Sequence, residues 1–300
     1  MTADFEAIAS TRDIDDWLAS REAAFSDIRP GLAKEIVWAD PAAKNRTPLA
    51  IIYIHGFSAS KGEVRPLPDQ IAGTLGANLF YTRLAGHARN ADAMAQATVE
   101  DWQNDMVEAL AIGARLGERT LIIATSTGAS LATWALAQPA LSGHVAGVVF
   151  LAPNYRIKGR GAFLLTAPLA AMSARLILGP RRSFIPRNDL HAAYWTTNYP
   201  VGALLPMARL VRIVSALPFE KITTPALFLH SPRDQVIDPN RTRVVTERWG
   251  GPATLLDPGD IGDPHGHVIA GDALSPQTTE LLVAVILNWF RKVDQRAEII

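Results

Sequence analysis

Hydrophobic and polar positions follow two different periods along this chain. Short runs that are apolar at nearly every position recur: Pro48 to Ile54, Thr120-Leu121-Ile122-Ile123, Val145 to Leu151 and Pro225 to His230. A strand buried on both faces reads this way, because odd and even side chains both meet apolar surroundings. These runs therefore predict central parallel strands. Lys34 to Trp38, Ala77 to Thr82 and Ala253 to Leu256 read as further strands. Between them the apolar spacing widens to that of a helix. From Thr98 to Leu116, apolar residues fall at 99, 102, 106, 107, 109, 110 and 112, behind Thr98 and Asp101 at capping-box spacing. Residues 14–25, Ala129 to Gln138 and Pro276 to Lys292 also read as helices, the last with Pro in its first turn. Strand and helix in alternation imply an α/β fold, a mostly parallel sheet with helices on both faces.

One stretch breaks the rhythm. Residues 154–218 carry Pro168, Pro180, Pro186, Pro200 and Pro206, with apolar runs between them such as Phe163-Leu164-Leu165, Leu176-Ile177-Leu178 and Leu204-Leu205. A connection of this length has to bury its own apolar side chains. That predicts an inserted helical cap over a core formed by 1–153 and 219–300. A long helical connection with no covering role is the simpler rival.

The candidate chemistry begins at Ala124-Thr125-Ser126-Thr127-Gly128, between a strand run and a helical pattern. A strand that turns sharply into a helix on a serine flanked by small residues at ±2 is a nucleophile elbow. The turn strains the serine backbone, exposes its hydroxyl, and aims the N–H groups at the helix start toward developing negative charge. A serine hydroxyl needs a base, and the base needs an orienting acid; for this type of site the chain order is serine, acid, histidine. Asp234 and Asp238 follow the 225–230 strand, and His265 and His267 follow the 253–256 strand. All these candidates lie past strand ends, where catalytic groups of open α/β sheets gather.

Asp238 precedes Pro239, which suits a helix cap, and this favours Asp234 as the acid. His267 is followed by Val268 and Ile269, which can pack under its ring, whereas His265 follows Pro264 in a loop of turn formers. Asp263, His265 and His267 alternate as metal ligands on a strand would, but the loop is full of turn formers, and no metal or cofactor is expected. His230 reads as a hydrogen-bonded structural residue, while His144 and His191 carry no context. His55-Gly56-Phe57-Ser58 ends the 48–54 strand with a tight turn that lets backbone approach a substrate. The Phe57 and Thr127 N–H groups are then the expected oxyanion donors, with His55 orienting the loop.

With these pieces in place, the chain resembles the α/β-hydrolase superfamily, in its carboxylesterase and monoacylglycerol-lipase-like branch with a cap. The resemblance rests on His55-Gly56-Phe57-Ser58, the elbow at 124–128, Ser231 to Ile237 and Gly266-His267-Val268-Ile269, and covers most of the chain outside roughly 154–218. It implies Ser126 as nucleophile, Asp234 as acid and His267 as base. Gly86-His87 resembles a loop bordering the active site in this family, which makes His87 a loop organiser. Ala124 stands where the common motif has Gly.

Composition narrows the function classes. Lys plus Arg equals Asp plus Glu at 29 each, so no overall charge drives binding to nucleic acid or a membrane. The balance hides an asymmetry: residues 154–218 hold nine Lys and Arg against Asp189 alone. That excess is either an ordinary solvated surface or an attraction for an anionic substrate, head group or partner. With no cysteine there are no disulfides, thiolates or cysteine-ligated zinc, which fits a cytoplasmic setting. The first residues lack the apolar core of a signal peptide, and the apolar stretch 161–174 is too short to span a bilayer. The expectation is a serine hydrolase acting on a small ester or acyl substrate. An acyltransferase using the same three residues and a non-catalytic binding protein are the alternatives.

Overall fold

The computed structural model describes residues 13–158 and 175–297, together with Ile8 and Thr11. Arg160, Phe163, Leu164, Leu165, Pro168 and the 161–174 run as a whole lie outside these residues. The strands are β1 (Glu35–Val37), β2 (Thr47–Ile54), β3 (Asn78–Tyr81), β4 (Gly117–Thr125), β5 (Val145–Leu151), β6 (Arg181–Ser183), β7 (Asn198–Pro200), β8 (Ala226–Leu229) and β9 (Ala253–Leu256). Seven form one sheet in the order β1-β3-β2-β4-β5-β8-β9, in which β1 runs antiparallel to its neighbour and all other pairs are parallel.

The apolar runs become central strands because each face of the sheet has its own core. Ala50, Ile52 and Ile54 of β2 join a cluster with Trp102, Met106, Leu131 and Leu210, whereas Leu49, Ile51 and Tyr53 join Leu67, Ile71, Leu282 and Ile286 on the other face. The same alternation divides β4, β5 and β8, where Ile122, Phe150 and Phe228 face one way and Ile123, Val149 and Leu227 the other. Helices Val99–Leu116, Thr127–Leu136 and Leu204–Ser215 cover the first face, and Leu67–Leu75 and Pro276–Ala297 the second. The Thr98 capping box forms, with Thr98 Oγ1 accepting from Asp101 N–H and Asp101 accepting from Thr98 N–H. Helix Leu67–Leu75 lies outside the sequence-derived elements; its Pro66, Pro68 and Gly73 weaken the helical signal that its buried Leu67, Ile71 and Ala72 provide.

Topology fixes where a site can form. From β2 the chain winds to β3 on one side, and from β4 it winds to β5 and β8 on the other. The loops leaving β2 and β4 therefore diverge at a switch point and open a crevice at the carboxyl ends of the strands. The loop His55-Gly56-Phe57-Ser58 (the HG loop) follows β2 and the elbow follows β4, so both border that crevice.

Residues 175–218 are not helical throughout. β6 and β7 form a separate antiparallel ribbon, with helix Asp189–Tyr194 in the connection between them and helix Leu204–Ser215 after it. Pro180, Pro186 and Pro200 prevent continuous helix here and leave extended segments instead. Helix Leu204–Ser215 buries Met207, Leu210 and Val214 against the elbow helix. Farther back, Thr196 N–H donates to Ser58 O at 2.7 Å and ties the segment to the HG loop. Among the described residues, no helix is long and apolar enough to cross a membrane.

Candidate functional site

Ser126 sits between β4 and helix Thr127–Leu136 with φ 50° and ψ −112°, a left-handed conformation that costs energy for a residue with a Cβ. Surrounding bonds hold it there. Ser126 N–H donates to Leu151 O at 2.9 Å, and Ser126 O accepts from Ala129, Ser130 and Asn154 N–H groups. Gly128 is required by close approach, since a Cβ there would lie 2.4 Å from Ile54 O and 2.6 Å from His55 O. The elbow thus packs directly on the end of β2.

His267 joins Ser126 to Asp234. Its Nε2 lies 3.0 Å from Ser126 Oγ and its Nδ1 lies 2.8 Å from Asp234 Oδ2. Because an ionised carboxylate only accepts, Nδ1 carries the proton and Nε2 is free to accept from the serine hydroxyl. Asp234 is fully buried, and its other oxygen accepts from Val236 N–H at 2.7 Å and Ile237 N–H at 3.0 Å. Burial alone would lower the His267 pKa. The facing Asp234 carboxylate and its hydrogen bond, helped by Glu63 and Asp263, reverse this and hold it above its ordinary value.

The rival candidates fall elsewhere. Asp238 caps helix Pro239–Glu247, accepting from Asn240 N–H at 3.1 Å, with Arg156 at 3.8 Å. The His265 side chain is 56% exposed and lies 3.2 Å from Arg187 Nη2 at the rim of the crevice, away from Ser126. Asp263 has an organising role that the metal reading does not include. It accepts from the N–H groups of His265, His267 and Val268 and so wraps the loop around the His267 ring. Among the described residues, no group of three or more His, Asp or Glu side chains could hold a metal. His230 is buried, and its pKa is lowered by desolvation. His191, which the sequence leaves without context, stacks on Phe184, packs edge-on against Trp195 and lines the crevice.

The HG loop is fixed from two sides. His55 Nε2 accepts from Leu84 N–H at 3.0 Å, so its Nδ1 carries a proton and donates to Gly56 O at 2.9 Å. His87 packs on His55, Phe57 and Trp102, with Nδ1 3.1 Å from Ala85 O. Desolvation holds both rings neutral, pushing His55 well below its ordinary value and His87 down to about 4. Among the described residues, neither Phe57 N–H nor Thr127 N–H meets an acceptor, and both residues line the crevice beside Ser126. For Thr127 this follows from position, because the first amides of a helix have no partner within it.

Glu63 belongs to the site and carries no motif. It is 2% exposed and lines the crevice. Its Oε2 accepts from Gly56 N–H at 2.7 Å and Tyr53 O–H at 3.0 Å. Burial pushes its carboxyl up to about 7, partly offset by those two hydrogen bonds and by His267.

Above these groups lies a cavity of about 520 Å³, within the range of small-molecule sites. Its walls are mainly apolar, from Ile157, Leu178, Phe184, Trp195, Tyr199 and Leu204, and Arg182 and Arg187 stand at its edge. Much of the cationic excess of 154–218 is engaged with the core. Arg181 meets Asp92 at 2.6 Å, Arg209 meets Glu100 at 2.8 Å, and Lys158 Nζ donates to Asp234 O at 2.7 Å. Arg182 has no carboxylate partner among the described residues.

Comparison with known proteins bears on the family and the fold. The family described as "Serine aminopeptidase, S33" matches residues 46–255. A thermostable monoacylglycerol lipase from Bacillus sp. (strain H-257) is 25% identical over 213 residues, covering 69% of this chain and 79% of that protein. Among solved structures, one from a study of the metagenome-derived lipolytic enzymes LipS and LipT has a TM-score of 0.67 at 19% identity, covering 88% of this chain and 99% of that one. The monoacylglycerol lipase of Paleococcus ferrophilus has a TM-score of 0.62 at 16% identity, covering 87% and 99%. Sheet order, elbow and family match therefore agree: this chain belongs to the serine aminopeptidase S33 family of α/β hydrolases.

Proposed function

We propose that this protein hydrolyses carboxylic esters through an acyl-enzyme on Ser126. One observation carries the reading: His267 lies 3.0 Å from the serine oxygen and 2.8 Å from a buried carboxylate. Ser126 Oγ attacks the acyl carbon as its proton passes to His267 Nε2. The tetrahedral oxyanion accepts from Phe57 and Thr127 N–H groups. Its collapse breaks the ester bond as His267 returns the proton to the leaving alkoxide. Water then gives a proton to Nε2 as it attacks the acyl carbon, and collapse of the second tetrahedral intermediate returns that proton to Ser126 Oγ and releases the acid. Asp234 keeps the imidazole in the tautomer this cycle needs. The reaction requires no metal or organic cofactor.

The apolar walls favour an acyl chain. In this reading residues 154–218 form the cap that covers it, on a core of 1–153 and 219–300. Hydrolysis of an N-terminal peptide bond, which the family description suggests, fits less well. An aminopeptidase needs an anionic group for the substrate ammonium, whereas Arg182 and Arg187 stand at this rim; of the two carboxyl groups in the lining, Asp263 has both oxygens occupied by backbone N–H groups and Glu63 is tied to Gly56 N–H and Tyr53 O–H. The absence of cysteine fits a cytoplasmic setting.

The test combines a fluorophosphonate probe with an ester panel varying acyl length and leaving-group charge, run on wild type and Ser126→Ala. Wild type should take the probe and turn over esters, and the variant should do neither, with kcat lowered by roughly 10⁴-fold or more. A folded wild type that ignores the probe would point to a binding protein. Dominant acyl transfer to added alcohols in mostly aqueous buffer would point to an acyltransferase.

A further inference from the structure

Glu63 is a carboxyl group that the proposed reaction leaves unused although it lies against the nucleophile. A Cβ built on Gly56 would fall 2.8 Å from Glu63 Oε1 and 3.2 Å from Ser126 Cβ, so Gly56 is held between the two. Glu63 Oε2 takes the Gly56 N–H at 2.7 Å. On its other side, Gly56 O takes the His55 Nδ1 proton at 2.9 Å. That carbonyl shares a peptide plane with Phe57 N–H, the expected oxyanion donor. Two adjacent planes are thus clamped around the residue with the widest backbone freedom.

The turn that carries Glu63 is itself anchored. Lys61 Nζ is buried and bonds Ala33 O at 2.9 Å and Glu35 at 2.6 Å. The Tyr194 ring packs so closely on Gly62 that a Cβ there would lie 2.3 Å from it. Tyr53 O–H, donating to Glu63 at 3.0 Å, lies 3.0 Å from Thr125 Oγ1, the residue before the nucleophile. β2, β4 and the 189–194 helix therefore all help to set the position of one carboxyl group.

We propose that Glu63 is a positioning residue for the oxyanion hole, holding the Gly56 N–H so that Phe57 N–H points at the developing charge. The proposal rests on the serine-hydrolase reading above. Without an acceptor at this place, Gly56 N–H and Tyr53 O–H would be buried and unpaired, and the loop would turn to satisfy them. A donor displaced by about an ångström loses much of its stabilising effect on the transition state.

The experiment compares Glu63→Ala and Glu63→Gln with wild type on a p-nitrophenyl ester, with active sites counted by fluorophosphonate titration. Per active site, Glu63→Ala should lose about 10- to 100-fold in kcat with KM within about threefold, and Gln, which keeps an acceptor oxygen, should recover most of the loss. Binding of a trifluoromethyl ketone, which forms a tetrahedral oxyanion on Ser126, should weaken in step with kcat/KM. Binding of the matching ether, which forms none, should not change. Full kcat per titrated site in the Ala variant, or equal weakening of ketone and ether, would overturn the proposal. If the Ala variant fails to fold, Gln still decides: a tenfold or greater loss in a folded Gln variant contradicts a role as acceptor, and near-wild-type ketone binding supports it. Wild type that neither takes the probe nor cleaves esters would defeat the hydrolase reading instead.

Discussion

Replacing Asp234 by Asn exchanges one oxygen for an amide, and the structure dictates which way the amide turns. Oδ1 of Asp234 accepts from the N–H groups of Val236 and Ile237, at 2.7 and 3.0 Å. Two donors on that side require the Asn oxygen to stay there, so the new NH₂ must face His267 Nδ1 across 2.8 Å. A donor would then confront a donor. The imidazole escapes by moving its proton to Nε2, where it faces Ser126 Oγ at 3.0 Å and can no longer accept the serine proton. The wrong tautomer in a serine triad costs about 10⁴-fold in kcat, equivalent to about 5 kcal/mol of transition-state stabilisation. The shape and loop hydrogen bonds survive, so folding should not suffer. Asp238→Asn is the control: Asn caps helices as well as Asp, so both kcat and melting temperature should stay close to wild type. Steady-state kinetics on an activated ester, with melting curves for both variants, separates the cases. An Asp234→Asn enzyme within tenfold of wild type, or a larger loss in Asp238→Asn, would refute the assignment of the acid.

The base must be neutral to act, and Asp234 holds the His267 pKa above 6.5. Activity should therefore rise with pH through a limb above 6.5, and a kcat/KM profile already flat from below pH 6 would contradict that. Arg182 at the rim, without a carboxylate partner among the described residues, is the group best placed to attract an anionic ester. Arg182→Gln should reduce the kcat/KM of a carboxylate-bearing ester and flatten its salt dependence while sparing a neutral ester of equal chain length. Equal salt dependence for both esters in wild type would return the arginines to an ordinary surface.

Arg181 shows why the sequence cannot make that choice. Arg181 and Arg182 are adjacent in a cationic segment and look equivalent as letters. In space Arg181 meets Asp92, 89 residues away, and Arg182 lines the crevice. The elements, by contrast, are legible because their signals are local. β2, β4, β5 and β8 announce themselves through unbroken apolar runs, since both faces of each are covered. Thr98 and Asp101 mark a helix start that forms as the spacing predicts. The ribbon of β6 and β7 stays hidden because three-residue strands leave too little periodicity to read, and here proline is the only usable sign.

The same distinction divides the site. Ser126, Asp234 and His267 can be found because each lies just past a strand end, so recognising the strands restricts the search to three loops. Glu63 and Asp263 also lie in loops that follow strands, β2 and β9, but no motif singles them out. Each is a charged residue in a polar, glycine-bearing stretch, and such residues are ordinarily solvated. What buries them is convergence: Gly56 and Tyr53 bring donors to Glu63, while the loop through His267 folds its own N–H groups onto Asp263. Both carboxyls act on backbone, one at the loop bearing a predicted oxyanion donor and the other at the loop bearing the proposed base, His267. A triad specifies the chemistry of proton transfer, but the direction of an N–H or an imidazole is set by the loop that carries it. In this chain those loops are held by acids that no motif names.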